Sequence, residues 1–135
     1  MIELTGALQT VANNANVLFD TLVTQCGCAE RHRSGSGVLT LAAPGRYLVT
    51  FSGNVAVPTG GTVGAITAAI AIEGEATYGA TMTVTPAAVE EFFNISASSF
   101  VDVPNCNSCC TRVSVENITG ANITVNNANL IAMKV

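Results

Sequence analysis

From Arg46 to Val57 the chain alternates, with Tyr47, Val49, Phe51, Val55 and Val57 on one side and Leu48, Thr50, Ser52, Asn54 and Ala56 on the other. A period of two is that of a strand with one face buried, so this stretch predicts a long, half-buried β-strand. Shorter stretches repeat the pattern. Thr111–Ile118 alternates Val113 and Val115 with Arg112, Ser114 and Glu116, and Asn122–Asn126 and Leu130–Val135 read as two further strands. Turn signals separate them at Gly35-Ser-Gly37, Pro44-Gly45, Pro58–Gly61, Glu73-Gly74, Pro104-Asn105 and Thr119-Gly120, the rhythm of an all-β sandwich. Two segments compete with that reading. The Ala/Ile run from Val63 to Ile72 has helical propensity, but glycines bracket it and Ile66, Ala68, Ile70 and Ile72 share a strand face. Pro86–Phe93 opens with a proline suited to a first helical position, so one helical turn is expected there, followed by a strand through Ile95, Ala97, Val101 and Val103.

The chain has 135 residues, which fits one domain spanning 1–135. Only 10% of residues are charged against 49% apolar, whereas soluble domains carry roughly 25% charge. Such a surface is expected to be partly covered by other subunits. A net charge of −4 with five basic residues argues against nucleic acid and against an anionic membrane as partners. Met1-Ile2-Glu3-Leu4 lacks the basic start of a secretory signal, and no run of eighteen apolar residues follows. The expectation is a protein made in the cytosol without a Sec signal.

Val17-Leu-Phe-Asp20, then Gly35-Ser-Gly-Val-Leu-Thr-Leu-Ala-Ala-Pro-Gly-Arg-Tyr-Leu-Val-Thr-Phe51 and Val55, resemble the trimeric TNF-like jelly roll, the family of complement-type globular heads and related bacterial and phage domains. Gly37, Leu39, Pro44, Gly45, Tyr47, Val49 and Phe51 take the places of that pattern, and Ala65–Glu75 is similar to its next strand. Phe19 falls in the family's Phe-Asn/Asp strand. The Pro44-Gly45 turn is expected to pair the strands on either side, with Leu39 and Tyr47 facing one core. The resemblance implies two antiparallel sheets and a homotrimer, and the low charge agrees with a covered interface. The aliphatic end, Asn129–Val135, departs from the aromatic-rich terminal strand usual in the family.

Five cysteines fall in two polar loops, Cys26-Gly-Cys28 and Cys106-Asn-Ser-Cys-Cys110. A bridge between the loops would close about 80 residues, worth roughly 4–5 kcal/mol in the chain-entropy model, and the odd fifth thiol would be free or linked to a neighbouring subunit. A structural zinc site from Cys26, Cys28, Cys106 and Cys109, or with His32 replacing one, is the second reading, and inert thiols the third. The loops are expected to lie close together under either of the first two. Cys28 with His32 makes a poor catalytic dyad, since nothing nearby in sequence orients the ring. His32 between Arg31 and Arg33 reads as a solvated loop apex.

Nothing else carries chemistry. Glu73 with Glu75, and Glu90 with Glu91, read as solvated charge. Asp102, Glu73 and Glu75 lack the ligand run of a calcium loop. The sequons at Asn94, Asn117 and Asn122 read as chance, and phosphate-loop and nucleophile-elbow motifs are missing. The expected function is a non-enzymatic phage or prophage virion protein, a decoration, head-fibre or receptor-contact trimer that reaches the virion or the exterior on lysis. A surface or spore-coat subunit cross-linked by intersubunit disulfides is the alternative. Contacts are expected from the loops 26–36, 58–64 and 104–110, with Arg31, Arg33, Asn105 and Asn107 among them.

Overall fold

The computed structural model describes residues 1–105 and 110–135. It contains eleven strands: β1 (Ile2–Gly6), β2 (Gln9–Val11), β3 (Thr21–Gln25), β4 (Glu30–His32), β5 (Leu39–Leu41), β6 (Gly45–Ala56), β7 (Ile66–Ile72), β8 (Glu75–Val84), β9 (Phe93–Val103), β10 (Thr111–Asn117) and β11 (Ile123–Lys134). There is no helix among the described residues. One sheet runs β3-β1-β11-β6-β9, with β2 also on β11 to make six strands, and the other runs β4-β5-β10-β7-β8. All pairs are antiparallel.

The core lies between the sheets and follows the alternation. Leu39, Tyr47, Val49, Phe51, Val113 and Val115 are all 1% exposed or less, as is Phe19. The all-β expectation for 63–72 holds, because β7 lies between β10 and β8 in its sheet and is largely buried on both faces, which suits small and β-branched side chains. Ile72 and Glu75 pair across Glu73 and Gly74, both at positive φ (53° and 83°), a two-residue hairpin turn whose twist matches the strands.

Several expectations fail for identifiable reasons. The Pro44-Gly45 turn does not pair its flanking strands, because β5 lies in the five-stranded sheet and β6 in the six-stranded one. The turn is a corner between layers. Tyr47 donates its hydroxyl proton to the Ala43 carbonyl at 2.7 Å, and Gly45, at φ 138°, leaves room for the Lys134 side chain, which an added Cβ would meet at 2.6 Å. Residues 86–92 form turns rather than a helical turn, with Glu90 at φ 59° and its amide on the Val57 carbonyl. The Val17–Asp20 run is extended but not a strand, since Val17 and Phe19 bond across to Val115 and Ser36 instead of to one neighbour. Asn122–Asn126 and Leu130–Val135 merge into the single β11, continuous through a bulge in which Asn127 takes φ 55°.

Candidate functional site: two ends and two outer faces

The connections split into two ends. At one end lie the β3–β4 link with Cys26 and Cys28, the corner at 42–44, and Pro104, Asn105 and Cys110 beside the ends of β9 and β10. At the other lie the loops 57–65 and 118–122.

Cys26, Cys28 and Cys110 are exposed thiols, and no disulfide joins any two of them. Register explains this. Glu30 pairs with Leu41 and Leu41 with Thr111, so the Cys28 and Cys110 sides of the end are held two strands apart, about 10 Å. Disulfide Cα atoms need to approach within about 7 Å, so the expected inter-loop bridge is not made by these three. Cys106, Asn107 and Cys109 lie outside the described residues, and the pairings or zinc site that need them lie there too. Among the described residues no three His, Cys, Asp or Glu side chains converge as a metal site would require. His32 is not a loop apex. It ends β4, half-buried, with Nε2 2.9 Å from the Ser36 carbonyl, so that nitrogen is engaged away from any Cys28 dyad.

Beside the cysteines sits Glu30, wholly buried. Its Oε2 accepts a hydrogen bond from the Met1 amino group at 3.1 Å, while Oε1 lies 3.0 Å from the same nitrogen and takes no hydrogen bond. A buried carboxylate needs such a counter-charge. Burial raises the Tyr47 hydroxyl above its ordinary pKa, and the Glu30 charge adds to the effect.

The opposite end holds an open cleft of about 660 Å³ between the 57–66 and 119–123 segments, lined by Thr, Gly, Ala and Val with no charged group. Asn117 pins this end, a role its sequon gave no sign of. Fully buried, its Nδ2 donates to the carbonyls of Val11, Ala12 and Ala121 at 3.0, 3.2 and 2.8 Å, and its Oδ1 accepts the Thr119 amide at 3.0 Å.

The outer faces of the two sheets differ more than the ends do. On the six-stranded sheet the outward positions are mostly Thr, Ser and Asn, joined across strands by bonds such as Thr50–Ser98 at 3.1 Å and Asn54–Asn127 at 3.1 Å. Register then lines up Phe100, Leu48 and Met133 on adjacent strands, with Ile131 one step along. Phe100 is 62% and Met133 39% exposed. Of the charges on this face, Arg46 grips Asp102 with two bonds of 2.7 and 3.0 Å while lying over the Phe100 ring, and Glu3 accepts a hydrogen bond from the Asn129 amide at 2.9 Å. The Asp102 hydrogen bond and charge raise the Arg46 pKa, and Arg46 in turn lowers that of Asp102. Asp102 is therefore not grouped with Glu73 and Glu75, which lie in and just after the β7–β8 turn of the other sheet.

On the five-stranded sheet Arg31 and Arg112 are exposed, as are Arg33 just after β4 and Asn105 in the segment that follows β9. The arginines on β4 and β10 come together only through the topology. No helix of the described chain is long and apolar enough to cross a membrane.

No protein-family model matches this sequence, and no curated protein does. Solved structures do. Murine APRIL at pH 5.0 is similar at TM-score 0.71 and 10% identity, covering 99% of this chain and 97% of that one. The globular domain of zebrafish complement 1qA protein matches at TM-score 0.63 and 10% identity over 96% and 92%. PRD1 vertex protein P5 matches at TM-score 0.51 and 22% identity over 99% and 95%. With its two antiparallel sheets and this set of structural neighbours, the chain has the TNF-like jelly-roll fold of the complement-type globular heads.

Proposed function

We propose that the chain is a non-enzymatic structural subunit of a virion that assembles as a homotrimer through the outer face of its six-stranded sheet. The row Phe100–Leu48–Met133 carries the reading. It is apolar, with Phe100 and Met133 exposed and Leu48 half-buried between them, and the Arg46–Asp102 pair beside it is already satisfied, so covering the row removes apolar surface from water without breaking that pair. The likeness to a vertex protein supports the virion part of the reading. In such a trimer the ends of the sandwich point along the axis, which suits docking by one end and outward contact by the other. Immunogold electron microscopy of particles released by lysis tests this. Label on the particles at symmetry-related positions is expected, and label confined to the cell envelope or to free protein contradicts it.

The exposed thiols favour a second reading, a coat subunit cross-linked between copies. Cysteine is among the most buried residue types, so three exposed at one end stand out. A ladder on non-reducing gels that collapses with reductant is its signature, whereas the virion reading expects one discrete species.

A further inference from the structure

Three of the five basic residues gather on one patch that the linear sequence scatters. Arg31 and Arg112 are both opposite Thr40, one from each side, so Arg31–Thr40–Arg112 forms a transverse row on three adjacent strands. Their neighbours Glu30, Leu41 and Thr111 point into the core, which turns this row outward, and both arginines are exposed. Arg33 continues the patch two residues along, about 7 Å further. None of the three makes an ion pair among the described residues, where the bridges are Met1–Glu30 and Arg46–Asp102. The carboxylate next in the row, Glu73, accepts the Arg112 main-chain amide at 2.7 Å.

We propose that this row binds sulfate or phosphate esters carried on a glycan. Guanidinium groups present fixed forks that match tetrahedral oxyanions, and a hydroxyl lies between the two. About 10 Å separates the outer two backbones, which long arginine side chains can span. The surface is open rather than a pocket, so a single small ion gains little there. A polymer that meets Arg31, Arg112 and Arg33 with successive charges gains by multivalency. The net charge of −4 disfavours a densely charged nucleic acid and leaves a sparser, esterified glycan as the better fit. The row lies on the sheet face opposite to the one assigned to self-association, and its binding does not depend on that assembly.

Surface-immobilised dextran lightly substituted with sulfate, dextran lightly substituted with phosphate, neutral dextran and duplex DNA, titrated with the intact protein at rising salt, test this. Binding is expected to both esters, to weaken with salt, and to be lost on neutral dextran. Binding to only one ester assigns the row to that ester. Arg31→Ala with Arg112→Ala is expected to lower affinity about tenfold or more while Lys134→Ala, which removes the same kind of charge elsewhere, leaves it unchanged. Unaltered melting curves confirm that the exposed substitutions leave the fold intact, and light scattering reads the assembly independently. Equal binding by the double variant, an equal loss in Lys134→Ala, or tighter binding to DNA than to either ester overturns the proposal.

Discussion

The two sheets share one core but present opposite outer faces. The six-stranded sheet offers Ser, Thr and Asn around Leu48, Phe100 and Met133, with Arg46 paired to Asp102, whereas Arg31, Arg33 and Arg112 on the side of the five-stranded sheet make no ion pair among the described residues. Inward positions of both are mainly aliphatic, with Tyr47 and Phe51 on the six-stranded sheet and the buried polar Glu30 and Asn117 on the five-stranded one. Fold is therefore written in one half of the alternation and function in the other. A face rich in hydroxyls and amides around an apolar row is suited to being covered, and a cationic face to staying wet.

The largest single effect on the shared core is expected from Phe51→Ala, at about 3–5 kcal/mol of stability, because this buried ring fills the space between the sheets. Calorimetry should show one transition at lower temperature. Two separate transitions would mean that the sheets unfold independently and that the comparison of faces on one core is unsound.

Asn117→Ala sharpens the contrast on the five-stranded side. It strips partners from the carbonyls of Val11, Ala12 and Ala121 and is expected to cost about 2–3 kcal/mol by denaturant titration. Tyr47→Phe removes one buried hydrogen bond at the corner into the six-stranded sheet and is expected to cost about 1–1.5 kcal/mol. That hydroxyl also has a pH signature. Burial raises its pKa in the folded chain, so the fold favours the neutral phenol: its contribution is intact below about pH 10 and declines as pH rises beyond. Melting curves between neutral and strongly alkaline pH should show this decline shrinking in Tyr47→Phe. Ser98→Ala, on the outer ladder with Thr50, should change stability by less than about 0.5 kcal/mol, as solvent replaces its bond.

Much of the core was legible because alternation is a local signal: Tyr47, Val49, Phe51, Val113 and Val115 declare their face within a few residues. What the sequence hid is nonlocal. Nothing near Pro44-Gly45 says that the chain changes sheet there, since a hairpin and a corner use the same turn residues. His32 read as a loop apex because β4 is three residues long and held in place by β5 rather than by its own pattern. The Arg31–Thr40–Arg112 row exists only through register that brings together residues 81 positions apart in the chain. Asn117 sat in a sequon, and its three carbonyl partners come from two other segments. The separation of Cys28 from Cys110 is of the same kind, being set by the β5 strand that intervenes.

The account rests on the apolar row being an interface, and light scattering of the native chain beside Leu48→Asp and Phe100→Asp tests it directly. The expected result is a mass of three chains for the native protein and of one chain for both variants, each still folded by circular dichroism. A native monomer, or variants that remain trimeric, would contradict it.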